Sequence, residues 1–272
     1  MNRPEQPGRL MPIPDVQSAS DDRRLAIDQV GIRGLRYPIA FADHDGAAQP
    51  TIATANVYVA LAEDRKGTHM SRLVMMLEER AAPGARPLTV AGLDAMLREL
   101  VARLDAPAGR IELAFPFFVR KTAPVSGVAS LLDYEVRLAG ELVDGRIAKT
   151  IAVAVPVQSL CPCSKEIADY GAHNQRSTIT ITVRTGESVE LAELLRIAED
   201  EASSELYGIL KRADEKYVTE RAYDNPRFVE DLVRGVAGKL AADARFLAYS
   251  VEAENFESIH NHSAYARIAR GL

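Results

Sequence analysis

Residues 151–183 read IAVAVPVQSLCPCSKEIADYGAHNQRSTITITV, and the way this run divides decides the fold class. Ile151, Val153, Val155 and Val157 alternate with other side chains, and Ile179, Ile181 and Val183 alternate with threonines. A period of two carried by β-branched residues predicts two strands, each with one buried face. Between them runs a polar connection from about Ser159 to Asn174, far longer than a hairpin loop, and long ordered connections in compact domains carry function. It holds both cysteines of the chain, Cys161 and Cys163, together with His173. A thiolate and an imidazole on one loop can fold back onto a shared metal ion, a ligand mix that Zn2+ accepts. Two ligands do not complete a site, so a third must come from elsewhere in the chain. Two other readings of the cysteines stay open. One is a Cys-Pro-Cys redox pair, against which stand the intervening proline and the usual spacing of two residues. The other is a buried, inert cysteine. His173 sits in Gly-Ala-His-Asn-Gln, without the apolar neighbours of a core residue.

Outward from this run the same grammar repeats. Val57, Val59 and Leu61 predict a half-buried strand; Thr68 can cap a helix carrying Met70, Leu73, Val74 and Leu77, and Thr89 a second with Val90, Leu93, Leu97, Leu100, Val101 and Leu104. Ile111 to Val119 and Leu132 to Leu138 alternate as strands. Beyond the central run, Leu191 to Leu206 predicts a long amphipathic helix, Asn225-Pro226 the start of another reaching about Leu240, and Leu247 to Val251 and Tyr265 to Ile268 two strands. The expectation is an α+β chain of two β-β-α-α-β-β modules, 27–143 and 144–272, behind a flexible leader over residues 1–26, with structure beginning near Val30. Helices would cover one face of an antiparallel sheet, and partner subunits would bury the other by rolling the sheets into a barrel.

Composition narrows the classes. The 272 residues are 47% hydrophobic, enough for a substantial core, and 26% charged, as a soluble surface needs. A net charge of −5 argues against a broad grip on nucleic acid. No apolar run suggests a membrane span or a signal peptide. Two cysteines too close in sequence to staple a fold point to a reducing, cytoplasmic location.

Several longer stretches then carry a resemblance. Ser-Leu-Cys-Pro-Cys-Ser-Lys at 159–165, Tyr-Gly-Ala-His-Asn-Gln-Arg-Ser at 170–177, Asn-Pro-Arg-Phe-Val-Glu-Asp at 225–231, Lys-Gly-Thr-His-Met-Ser-Arg at 66–72 and Asn-Phe-Glu-Ser-Ile-His-Asn-His at 255–262 closely resemble the type IB GTP cyclohydrolase I enzymes. The similarity runs from about residue 28 to the C-terminus. It implies the tunnelling fold, a homotetramer with interfacial active sites, and hydrolysis of cyclic amidine C–N bonds in GTP to give 7,8-dihydroneopterin triphosphate and formate, the first step towards folate-type pterins.

The resemblance also implies roles. The metal ligands would be Cys161, His173 and Glu215, with Glu257 joining or replacing one, and the cofactor one divalent metal per subunit, Zn2+, Mn2+ or Fe2+. Taken alone, Glu215 reads as a solvated helix residue and Glu257 as a turn residue. Glu230 would anchor guanine, since a carboxylate offers two acceptors to the N1–H and N2–H donors that adenine lacks; the plain alternative is a surface pair with Arg234. His260 would be the general acid/base, with His262 on the same face if the segment is extended. His69 would face a neighbouring subunit's site, His44 reads as a loop residue, and Lys165 and Arg176 are candidate triphosphate contacts. The implied mechanism is attack of metal-bound water on guanine C8, ring opening, loss of formate and ring closure, with His173 and Cys161 as ligands. The competing functions are a non-catalytic metal-binding module, which would need neither Glu230 nor the basic loop residues, and a related pterin or deazapurine enzyme such as a nitrile reductase, which would use its cysteine as a nucleophile with a nicotinamide cofactor.

Overall fold

A computed structural model of the chain describes residues 15, 17, 19–43 and 47–272; His44 and most of the 1–26 leader lie outside them. Eight long strands form one antiparallel sheet: β1 (Ile27–Phe41), β2 (Gln49–Leu61), β3 (Ala108–Thr122), β4 (Ala129–Val143), β5 (Arg146–Leu160), β6 (Asn174–Thr185), β8 (Phe246–Asn255) and β9 (Ala264–Arg270). They are ordered β1-β2-β3-β4-β5-β6-β8-β9, and a ninth strand, the short β7 (Ser204–Glu205), pairs with β5. Their alternating apolar residues, among them Val57, Leu113, Leu138, Val153, Ile181 and Val251, share one core with Leu73 and Leu77 of α1 (Met70–Ala81), Leu93 and Leu97 of α2 (Gly92–Leu104), Leu194 of α4 (Leu191–Glu201) and Leu232 and Val236 of α6 (Val229–Ala241). The helices thus cover one face, as the period-two pattern requires. Gly140 of β4 permits the close approach of α2: a Cβ there would lie 2.7 Å from Leu97 Cδ1 and 2.9 Å from Leu93 Cδ2.

The expected pair of equivalent modules forming a tunnelling-fold barrel is corrected by this topology. The nine strands make a single open sheet with β1 and β9 at its edges. The second half holds α3 (Pro162–Ile167), α4, α5 (Arg212–Asp224) and α6 as well as β7, so it does not repeat the two-helix pattern of the first. The reason lies partly in a turn. Asp144 and Gly145, at φ 50° and 74°, both occupy the left-handed region that a two-residue type I′ hairpin needs. β4 therefore runs straight into β5, with Val143 opposite Arg146, and the halves continue one another's ladder instead of closing separately.

Local starts and stops also differ from the sequence pattern. His69, not Thr68, precedes α1, and Ala91, not Thr89, precedes α2, although Thr89 Oγ1 accepts the amide of Gly92 at 2.9 Å just ahead of the helix. Asn225 closes α5 instead of opening α6, and its amide donates to Ala202 O at 2.8 Å. The expected long helix from Leu191 stops at Glu201. β1 opens at Ile27, ahead of Val30, and before it Lys66 N donates to Ala19 O and Asp21 N to Asp64 O.

Candidate active site

Strands β5 and β6 pair up to Leu160 and Asn174, so the 161–173 connection begins and ends at one point. Cys161 N donates to His173 O at 3.1 Å, which seats two residues twelve apart in sequence side by side. Pro162 supplies the preset φ of a first helical position, and the single turn of α3 folds the loop back. Ser164 locks it: its amide approaches Cys161 Sγ at 3.5 Å, its hydroxyl donates to Cys161 O at 3.2 Å and accepts from His173 N at 3.2 Å. Both thiols are free, with Cys161 half-buried and Cys163 exposed. The two cysteines thus differ in burial as well as in the ligand role that the resemblance implies for Cys161 alone.

His173 is held by a buried polar chain. Its Nδ1 lies 3.0 Å from Gln175 Oε1 and 3.4 Å from Ser258 Oγ. Gln175 Nε2 donates to Ser159 Oγ at 2.9 Å, and Ser159 Oγ lies 2.7 Å from Ser177 Oγ. Gln175, Ser159, Ser177 and Ser258 all lie within the longer motifs, but the sequence assigns none of them a role. The signal available was position: 159, 175 and 177 are polar residues where the strand alternation calls for inward-facing side chains.

Other elements converge on the same end of the sheet. Arg227 N donates to Leu160 O at 3.0 Å, and Leu160 N to Ser203 Oγ at 3.0 Å, docking the start of α6 beside the cysteine loop. Glu230 is exposed in the first turn of that helix, and among the described residues it forms no ion pair with Arg234. The 256–263 loop is joined to β6 by Phe256 N donating to Arg176 O at 3.0 Å. It carries half-exposed Glu257, and the rings of His260 and His262 stack with centroids 5.2 Å apart and planes 16° from parallel. The expected common face presupposed an extended segment, whereas residues 258–262 form a run of bends in which the two rings stack. Arg176 is exposed on β6.

Lys165 and Glu215 are placed differently. The Lys165 ammonium donates to Tyr223 O and stands 4.4 Å from the centroid of the Tyr223 ring, so it clasps the cysteine loop to the end of α5. Glu215 is exposed in the first turn of α5. Its neighbour Asp214, fully buried and unnoticed in the sequence, holds that helix against the β3–β4 turn. It accepts from Val125 N and Ser126 N, each at 2.8 Å, from Ser126 Oγ at 2.6 Å and from Lys211 N at 2.8 Å. Burial pushes its carboxyl up, but the Ser126 and backbone donors outweigh this and hold it well below the usual carboxylate range.

His69 lies elsewhere. It follows β2, whose last residue Leu61 sits at the end of the sheet shared by the starts of β3 and β5, and its Nε2 is 3.6 Å from Asp15 Oδ2. Cys161 follows the opposite end of β5, which at about 3.3 Å per residue is roughly 45 Å of strand away.

Among the described residues, no three His, Cys, Asp or Glu side chains gather into a metal-holding group. The pair that is gathered, Cys161 and His173, nonetheless fits a divalent metal by donor type: one sulfur and one imidazole whose other nitrogen already has a partner. Among the described residues, Gln158 Oε1 on β5, Arg227 Nε just ahead of α6 and Asn255 Oδ1 on β8 are buried polar atoms without a protein partner.

Comparisons with known proteins show the family of the chain. The family model described as type I GTP cyclohydrolase folE2 matches residues 13–266. GTP cyclohydrolase FolE2 of Herminiimonas arsenicoxydans is 58% identical over 258 residues, covering 95% of this chain and 97% of its own. The FolE2 of Methylobacillus flagellatus is 54% identical over 270 residues, covering 99% and 98%, and that of Burkholderia vietnamiensis 58% over 258, covering 95% and 94%. Among solved structures, a highly active BTUO mutant aligns with a TM-score of 0.50 and 7% identity over 90% of this chain and 99% of its own, a likeness of fold alone. Uricase from Arthrobacter globiformis aligns at 0.47 and 8%, over 89% and 93%. With the family model spanning nearly the whole chain and relatives above half identity, the chain belongs to the type I GTP cyclohydrolase folE2 family.

Proposed function

We propose that this protein is a metal-dependent GTP cyclohydrolase I that converts GTP and water to 7,8-dihydroneopterin triphosphate and formate, in folate biosynthesis. The observation that carries the reading is the meeting, at one end of the sheet, of Cys161 and His173 with the start of α6 and the 256–263 loop. A metal buffer would need the donor pair but not a carboxylate on a helix start beside it, nor a stacked pair of histidines.

A divalent ion, Zn2+, Mn2+ or Fe2+, one per subunit, would be held by Cys161 and His173 with Glu215 or Glu257 completing the set, and when bound it supplies Lewis acidity that lowers the pKa of water. Glu230 offers its two oxygens to guanine N1–H and N2–H, and the rigid helix start orients them. His260, exposed and stacked on His262, transfers protons as the imidazole ring of the substrate opens and the pterin ring closes. Arg176 supplies charge for the triphosphate, and Lys165 retains two ammonium hydrogens beyond the one given to Tyr223. His69 reaches such a site only from a neighbouring subunit, because within its own chain it stands at the far end of the sheet. That favours a homo-oligomer, read as a homotetramer, with interfacial sites built mainly from the 144–272 half. Two free thiols suit a reducing cytoplasm, and among the described residues no helix is long and apolar enough to cross a membrane.

The test is incubation with GTP and each of the three metals, following formate release and pterin fluorescence. Formate and pterin in equal amounts support the assignment; folded, metal-loaded protein that releases neither refutes it.

A further inference from the structure

We infer that Gln175, anchored by Ser159 and Ser177, is a positioning residue that fixes His173 in the tautomer protonated on Nδ1 and so presents the Nε2 lone pair to the metal, an inference that rests on the reading of His173 as a ligand. Gln175 is 7% exposed and Ser159 and Ser177 are 0% and 1%, so none of the three can exchange its partners for bulk solvent. A glutamine side chain has one oxygen that only accepts and one nitrogen that only donates. The nitrogen is committed to Ser159 Oγ at 2.9 Å, which aims the oxygen at His173 Nδ1, 3.0 Å away. Two acceptors at that separation repel, so the imidazole carries its hydrogen on Nδ1 and leaves Nε2 bare, as a neutral metal ligand requires. Ser258 Oγ, at 3.4 Å from the same nitrogen, is a longer secondary contact. Strand geometry enforces the arrangement: Ser159 pairs directly with Gln175 across β5 and β6, and His173 lies two residues before Gln175, where side chains share a face. The sense of the chain matters as much as its presence. Reversing the amide would point its NH2 at Nδ1, move the ring hydrogen to Nε2 and disable the ligand.

Nitrogen-15 histidine spectra of the metal-free protein, assigned with a His173→Ala variant, read the tautomer directly. The expected result is a protonated Nδ1 and a bare Nε2 in the unaltered protein and in Gln175→Glu, which keeps the acceptor. Gln175→Met, similar in length but without it, should show both tautomers. Zn2+ affinity, measured by chelator competition, should fall by about 10–100-fold in Gln175→Met and stay within about threefold in Gln175→Glu; circular dichroism establishes that each variant is folded. A hydrogen on Nε2 in the unaltered protein, an affinity unchanged in Gln175→Met, or equal losses in the two variants would each overturn the inference. If His173→Ala still binds Zn2+ at full affinity, the ligand assignment itself fails, a result distinct from failure at Gln175.

Discussion

Replacing Lys121 with methionine removes the charge that ties the end of β3 to α4 and β7 while keeping most of the side chain's length. Lys121 Nζ, on a side chain only 9% exposed, lies 2.8 Å from Glu199 Oε1 and also binds Glu205 Oε2. Glu199 further accepts from the Tyr134 hydroxyl at 2.6 Å, and Glu205 has Arg221 Nη1 at 3.9 Å. Without the ammonium, two carboxylates share the pocket with no cation between them. Removing one partner of a buried pair costs about 3–5 kcal/mol; the carboxylate side chains here keep some exposure, which places the expected loss near the lower bound, about 3 kcal/mol. For a chain of this size that lowers Tm by roughly 6–12 °C. Burial pushes the Glu205 carboxyl up, but the Lys121 bond and charge pull it further down, so its folded pKa lies below the ordinary glutamate value. Its stabilising contribution is therefore present above that ordinary value and is lost as pH falls through the folded one. Lys121→Met removes the cause of the depression, so the gap between variant and parent should be widest at pH 7 and shrink below about pH 4. Urea unfolding followed by circular dichroism at pH 7 and at about pH 3 measures it. A loss under about 1 kcal/mol at pH 7, or a gap that does not change with pH, would refute the reasoning.

Cys161→Ala should abolish both bound metal and GTP turnover while Cys163→Ala, altering an exposed thiol, keeps most of each; metal content per subunit decides, and equal loss in both would show that the two thiols act together. Glu230→Gln should retain fold and metal but lose roughly 2–5 kcal/mol in kcat/KM for GTP, because one guanine N–H would then face an amide donor; near-normal turnover in the folded variant would remove Glu230 from the site. Gly140→Ala should cost about 1–3 kcal/mol by pushing α2 off β4 at Leu93 and Leu97, and a thermal melt superimposable on the parent's would show that the helix shifts without strain.

Much of the chain was legible in its residues. Alternation at Ile151 to Val157 and Ile179 to Val183 located β5 and β6, and the cysteines and histidine between them marked the loop where the structure seats Cys161 against His173. These are local patterns: a strand's period of two and the donor chemistry of a thiol and an imidazole are properties of a few neighbouring residues. The helices fared unevenly for the same reason. α1 and α2 carry clear apolar stripes, whereas α5 has two buried residues among thirteen, Asp214 and Ala222. It is held by long-range bonds to the β3–β4 turn and by the Lys121 cluster, and no apolar stripe marked it.

The sequence by itself determined the strand-rich character of the chain, the loop that bears the chemistry and, through its longer motifs, the family. Tertiary structure decided that the two halves share one open sheet, because the left-handed pair Asp144 and Gly145 turns β4 directly into β5. It decided that Lys165 clasps α5 through Tyr223, that Cys161 and Cys163 differ in exposure, and that His69 stands at the far end of the sheet. It decided too which nitrogen of His173 is bonded, since Gln175, Ser159 and Ser177 become one chain of hydrogen bonds only when β5 and β6 pair in this register. A shift of one residue would turn every one of those side chains to the opposite face. Register and long-range hydrogen bonds depend on partners distant in sequence, and only the folded chain brings them together.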